Sequence, residues 1–381
     1  MKYFYIHPNQ KRDLLDTTFL NVRDKVFLAE NNLSFFCLLN VTFNLNSSSG
    51  FLFDDIILEE FVENKIKGGK CILVLNVSEE CTSSLDDFFV AFISYVINKY
   101  SLSHKNLKVL TGNLNSNLIN KNINCEFIPY WFFLNTSAFF NRYRDVNQIE
   151  DFLNRNRSIN TFNKKIICYN RVPRPQRKYL FYRIFNNPLL KVNINISLKN
   201  DFKYSDYQRE FGISKDESAL INEFFYSNGP WTVDDTDLDN DNAVLEINLN
   251  SIKSSFLYLV TESNVNRDVI FLTEKTTKAL YACQPFIIHG NAYSLKTLQE
   301  LGFKTFSKWW DESYDEEIDL VKRTNKILTV LEDISKKSDK ELSSMLMEME
   351  DTLRHNNSLF TESRVPSFVD KLEFERPKKL L

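Results

Sequence analysis

The 381 residues are too many for one ordinary core and suit two domains. Hydrophobic residues make up 43% and the formal net charge is -3, a globular composition that excludes a global basic field recruiting nucleic acid. The opening Met1-Lys-Tyr-Phe-Tyr-Ile-His-Pro lacks the apolar run of a signal peptide, and no apolar stretch reaches the roughly 18 residues of a membrane span. A cytoplasmic chain without a membrane span is therefore expected.

The elements follow in chain order. Apolar residues 35–41 predict a buried strand. Ile57, Leu58, Phe61, Val62 and Ile66 share one helical face over 54–67, and Gly68-Gly69 ends it. Residues 70–76 are apolar on both faces, as in a parallel sheet. A helix over 86–100 and a strand over 107–110 continue the alternation, which implies right-handed βαβ units and a doubly wound sheet. The stretch 113–163, with Tyr130-Trp-Phe-Phe133 at its centre, closes the first domain and crosses to the second.

A second alternation then begins. Strands are predicted over 165–169, 192–198, 256–260 and 286–289. Helices are predicted over 175–185, 214–226 (inserted), 276–282 and 294–301. A long helix over 315–337 is read as able to run back toward the first domain. The expected fold class is α/β, with two Rossmann-like domains facing across a cleft. The expected boundaries are 1–150, 151–337 and a helical or extended tail at 338–381.

Six cysteines include no CxxC, and four histidines lack metal-ligand spacing. Buried free thiols in a reducing compartment are expected. Asp235-Thr-Asp-Leu-Asp-Asn-Asp241 with Glu246 imitates a calcium loop, but Asn240 replaces the glycine of the tight turn. An acidic surface loop is the reading taken.

Chemistry concentrates in the C-terminal half. Phe271-Leu-Thr-Glu-Lys-Thr-Thr-Lys-Ala-Leu280 is followed by Pro285-Phe-Ile-Ile-His-Gly290. Glu274 and Lys275 would stand at a helix N-terminus, where backbone N–H groups and a cation suit an anion. Glu274 can accept from ribose hydroxyls, making with Lys275 a receptor for a nucleotide diphosphate. On spacing alone a solvated surface pair competes. Asn170-Arg-Val-Pro-Arg-Pro-Gln-Arg-Lys178 puts Arg171, Arg174, Arg177 and Lys178 where a macrodipole is also positive, a crowding that phosphate relieves. A solvated loop is the alternative. Glu262 ends an apolar strand and either binds ribose, positions Lys275 or caps a helix. Glu79 and Glu80 follow the strand at 70–76 as general-base candidates for an acceptor hydroxyl, against an exposed acidic pair. Trp309-Trp310-Asp-Glu-Ser-Tyr-Asp315 is either core packing or the lining of an acceptor groove.

These segments resemble glycosyltransferases found in phage genomes. Thr273-Glu274-Lys275, Gly290 after its strand, and Leu298-Gln-Glu-Leu-Gly-Phe-Lys-Thr-Phe306 carry the likeness. The Thr-Glu-Lys core also resembles the nucleotide-sugar motif of α1,3-fucosyltransferases. The specific part covers about residues 165 to 330. The N-terminal half is similar only through Val77-Ser-Glu-Glu80 and Leu110-Thr-Gly-Asn113. The resemblance implies the two-domain arrangement called GT-B and a nucleotide-diphosphate sugar donor held by the C-terminal domain without an obligatory metal or other cofactor. It implies donor contacts at Arg171, Glu274 and Lys275, and inversion using a carboxylate base such as Glu80. Cys283-Gln284 departs from the small residue or glycine common before the proline. The acceptor, whether glycan, protein or modified DNA base, is not readable. A degenerate, non-catalytic glycan- or protein-binding module is the alternative function.

Overall fold

A computed structural model describes residues 3–6, 35–40, 58–77, 87–103, 105–114, 125–129, 132, 148–170, 172–198, 204–228, 249–265 and 269–362. They divide into two compact units. The described residues up to 132, with 269–271, form the first; the others form the second. Both are α/β with parallel sheets, of Rossmann-like character.

In the first unit β1 (Tyr3–Ile6), β2 (Phe35–Asn40), α1 (Glu60–Lys67), β3 (Cys71–Val77), α2 (Asp87–Lys99), β4 (Leu107–Thr111) and β5 (Glu126–Pro129) follow one another. The sheet order is β1-β2-β3-β4-β5, all parallel. Strand periodicity of two sends Cys71, Leu73, Leu75 and Val77 to one face with Cys37, Leu107 and Val109, where they pack with Val62 and Ile66 of α1 and Phe92, Ile93 and Val96 of α2. Acidic residues in the first turn of α1 and lysines in its last complement the macrodipole. The chain leaves α1 through Gly69 at φ +67, a conformation glycine adopts without strain. Residues 269–271 join this unit through Asn113: its Oδ1 accepts from Ile270 N at 3.0 Å, and Leu114 N donates to Ile270 O at 2.8 Å.

The second unit opens with α3 (Gln148–Ser158) and β6 (Ile166–Tyr169), then α4 (Pro175–Phe185), α5 (Pro188–Asn193) and β7 (Ile194–Ser197). Pro175 takes the first turn of α4, where no N–H is needed. The insertion supplies α6 (Tyr207–Phe211) and α7 (Lys215–Ser227), whose Tyr207, Ile221 and Phe225 pack on Tyr179 and Phe181 of α4. The chain continues through α8 (Leu249–Lys253), β8 (Leu257–Thr261), α9 (Glu274–Tyr281), β9 (Phe286–His289) and α10 (Ser294–Glu300). A 3-10 turn (Ser313–Glu316) leads to α11 (Leu320–Lys336), α12 (Asp339–Glu348) and α13 (Glu350–Glu362). The sheet order is β7-β6-β8-β9, again parallel.

Several expectations change. The doubly wound order holds in the second sheet, whereas the described strands of the first run in sequence without reversal. Residues 339–362, within the stretch expected as a helical or extended tail, are helical and belong to the second unit: α12 and α13 pack on α3, with ion pairs Arg157–Glu350 and Arg354–Glu150. The long helix starts at Leu320 because Asp319 caps it, accepting from Lys322 N at 2.9 Å, and it packs within the second unit. The strand expected from 192 begins at Ile194, after the proline-started α5. Within 113–163 lie β5 and α3, and α6 and α8 were likewise not anticipated. Cys37, Cys71, Cys125, Cys168 and Cys283 are free and buried. Among the described residues no helix is long and apolar enough to cross a membrane.

Candidate functional site

Strand order locates the site. From β6 the chain moves to β7 on one side, and β8 pairs on the other. Right-handed crossovers then put the following helices on opposite faces, and the loops diverge beyond the carboxyl ends of β6 and β8. Ligands bind at such a reversal. The described residues there are Asn170 and Val172–Arg177 after β6 and Thr261–Ser263 after β8, with the start of α9 beside them. The described order of the first sheet contains no reversal.

Glu262 organises the start of α9. It is fully buried. One carboxylate oxygen accepts from Thr273 N at 3.0 Å and Thr276 Oγ1 at 2.6 Å; the other accepts from Thr273 Oγ1 at 2.6 Å. An internal anion thus occupies the positive end of the helix. This corrects the ribose reading: no ribose hydroxyl reaches an enclosed carboxylate already holding three donors. Gly290 permits the arrangement, since a Cβ there would come 3.2 Å from both Glu262 Cβ and Ile288 Cγ2. Gly290 is accordingly a packing residue. The Gly290→Ala variant is expected to lose about 1–3 kcal/mol of stability through overpacking, measured by denaturant titration; an unchanged midpoint would refute the tight fit.

Thr273 is the N-cap of α9. Its hydroxyl hydrogen goes to Glu262, and its oxygen accepts from Lys275 N at 3.4 Å and Lys275 Nζ at 3.2 Å. The hydroxyl's donor and both lone pairs are spent. Lys275 Nζ also pairs with the Glu274 carboxylate, and these two side chains are 11% and 15% exposed. Both therefore line the surface at this strand end. Burial raises the Glu274 pKa, but the charges of Lys275 and Lys278 and the Lys275 hydrogen bond outweigh it and bring it to about 2. Glu274 is ionised at neutral pH.

The loop after β6 behaves differently from the four-cation cluster its composition suggests. Arg174 stands at the N-cap of α4 and is exposed. Arg177 is buried: it donates to Val172 O at 2.8 Å, Thr261 O at 3.0 Å and Ser263 Oγ at 3.3 Å. Gln176 Nε2 adds a bond to Ser263 O at 3.1 Å. Arg177 is thus a clasp across the reversal, tying the β6 loop to the end of β8. Burial, with the Arg174 charge, lowers its pKa to about 10, against the pull of Glu262 and Glu274; it stays cationic at neutral pH. Lys178 turns away, its ammonium 5.7 Å from the centre of the Phe225 ring. Arg171, Glu79, Glu80 and the acidic loop 235–246 lie outside the described residues.

One buried group went unread in the sequence. Thr324 Oγ1 donates to Leu320 O at 2.7 Å, so the 3.0 Å contact to His289 Nε2 is a donation from the imidazole. Burial first, then the charges of Arg323 and Arg177, lower the His289 pKa to about 3. The ring is neutral at physiological pH. Its partner is 35 positions downstream, beyond any local pattern.

The Trp309–Asp315 run serves packing and capping, not a groove. Trp310 stacks on Phe306 at 5.2 Å, and Asp315 accepts from Leu295 N at 2.8 Å and Lys296 N at 3.0 Å at the start of α10. Cys283 has φ 47, a backbone that favours glycine.

No protein-family model matches the chain, and no curated protein matches it. Among solved structures it is similar to the N-terminal domain of trehalose-6-phosphate phosphatase from Candida albicans, at 10% identity over 98% of this chain and 97% of that one, with a TM-score of 0.40. A likeness of that degree says nothing of function.

Proposed function

We propose that the second unit binds the diphosphate of a nucleotide-sugar donor, and that the chain is a glycosyltransferase of the GT-B arrangement. It moves the sugar to a hydroxyl of a glycan, protein or modified DNA base, with inversion and without an obligatory metal. One observation carries the reading. The Glu274–Lys275 turn, anchored to the end of β8 through Glu262, and the Arg174–Arg177 loop come together beside the strand reversal. The Glu274 charge acts on Arg177, which ties the two loops electrostatically as well.

The chemistry follows from charge. Glu274, ionised and acceptor-only, takes ribose hydroxyls. Lys275 and Arg174 take the diphosphate, while Arg177 adds positive potential from below. As the sugar–oxygen bond breaks, negative charge grows on the leaving diphosphate, and cations already in place lower that barrier without reorganising. The proton of the acceptor goes to a carboxylate, for which Glu80 and Glu79 remain the candidates.

Lys275→Ala tests the reading. A charged hydrogen bond contributes about 1.5–3 kcal/mol, so the affinity for nucleoside diphosphates is expected to fall about tenfold to a hundredfold. Titration calorimetry with GDP, UDP and ADP measures it. If none of these binds the wild-type chain, the donor reading fails.

A further inference from the structure

We infer that Glu262 is a positioning residue that sets the Lys275 ammonium through the Thr273 hydroxyl. The inference rests on the donor reading for its purpose, but its geometry stands alone. The chain of contacts is continuous: Glu262 carboxylate, Thr273 Oγ1 at 2.6 Å, Lys275 Nζ at 3.2 Å. Each link has a direction. Both Glu262 oxygens accept, so the Thr273 hydrogen points at Glu262 and the hydroxyl's lone pairs face Lys275, which only donates. The Thr273 rotor is held at its other end too, because Glu262 also accepts from the Thr273 backbone N–H and from Thr276. Glu262 is therefore fixed by α9 while it orients the first turn of α9. It is fully buried, and its Cβ and Cγ pack against Gly290.

Replacing one carboxylate oxygen by an amide reverses the polarity. In Glu262→Gln the amide N–H₂, placed at Thr273, donates to Oγ1 instead of accepting from it. The Thr273 hydrogen must then turn toward the site of Lys275 Nζ, which carries only donors. Two donors cannot share that contact, so Lys275 Nζ loses Thr273 and is held by the Glu274 carboxylate alone. Turning the amide over puts its N–H₂ against Thr273 N and Thr276 Oγ1, which breaks the same turn.

The experiment has a readout that needs no ligand. Lysine acylation by acetic anhydride is followed residue by residue through peptide mapping. In the folded wild-type chain Lys275 is expected to react slowly. In Glu262→Gln its rate is expected to rise about tenfold, the equivalent of losing one hydrogen bond to a charged group, while exposed Lys336 is unchanged. Thr273→Val, which keeps the shape and removes the hydroxyl, is expected to match it, and Thr273→Ser to restore the wild-type rate. These two variants decide the matter where Glu262→Gln does not fold.

Calorimetry with GDP or UDP completes the test through a double-mutant cycle with Lys275→Ala. If Glu262 acts through Lys275, the double variant binds no worse than Lys275→Ala alone. Additive losses, or an unchanged Lys275 labelling rate in Glu262→Gln and Thr273→Val, overturn the inference. The two readings fail differently. Accelerated labelling without nucleotide binding leaves the relay standing and removes the donor site. Nucleotide binding with unchanged labelling does the reverse.

Discussion

Unfolding free energy is expected to fall as pH drops below about 6.5, well before carboxylates titrate, because of His289. The folded imidazole, at about 3, binds no proton through this window, whereas the unfolded one, near 6.5, does. The unfolded state thus binds more protons between the two values, so stability rises with pH there and is lost as pH falls. The span of about 3.5 units corresponds to about 5 kcal/mol in all, of which about 3 kcal/mol falls between pH 7 and pH 4. The cause is geometric. His289 ends β9 in full burial, donates its one N–H to Thr324, and has the Arg323 and Arg177 guanidiniums as charged neighbours. Among the described residues no carboxylate offsets those two charges at the imidazole. Glu274 also loses its contribution in acid, but below about 4.5, since its folded value is the depressed one. The two windows therefore separate. Denaturant titrations of wild type and His289→Asn at several pH values check this. The variant should lose the slope between pH 6.5 and 4.5; parallel slopes in the two proteins would falsify the assignment.

The second large effect is expected at Arg155. This side chain of α3 reaches the end of α8 and the start of β8. Nε donates to Lys253 O at 2.9 Å, and Nη2 donates to Ile252 O and Ser255 O. Helix ends leave carbonyls without intrahelical partners, and Arg155 gathers three from a single turn. Neighbouring Asn156 donates to Cys283 O at 3.0 Å, and Gln284 Nε2 donates to Ser255 Oγ at 2.7 Å. The α3 helix is thus stitched to the segments that enter β8 and β9. Arg155→Met keeps the stem and removes every donor. Ile252 O keeps its contacts to Ser255 and Ser255 O its contact to Gln284, so the loss is that of the charged hydrogen bonds alone, about 1.5–3 kcal/mol. A shift in the urea midpoint reads it, and a loss under about 1 kcal/mol would mean that water replaces the guanidinium freely.

Much of this fold was legible, for stated reasons. Strands such as Cys71–Val77 and Leu257–Thr261 are apolar on both faces because parallel sheets are covered on both. Pro175 marked the start of α4, and the Thr-Glu-Lys turn marked α9. The last helices were legible in part: Ser338 and Glu341 form a capping box, a signature that sequence shows. What escaped was long-range. Composition put Arg177 among phosphate-binding cations, but it donates to the last carbonyl of β8, Thr261 O, 84 positions away. Glu262 showed as a strand-end carboxylate, and only the structure shows which way it turns. Local alternation of strand and helix is the same for a sheet that advances in one direction and one that reverses. The order of the first sheet was therefore invisible, although it decides where a reversal lies.

The central position of β6 has a kinetic corollary. Its link to β7, Asn170 to Ser197, closes 27 positions, whereas its link to β8, Asn170 to Thr261, closes 91. Loop-closure entropy makes the second about 1 kcal/mol dearer to nucleate. Refolding of this unit therefore zips the nearer neighbour first, and the Arg177 bonds to Thr261 and Ser263, which wait for β8, are among the last native contacts to form.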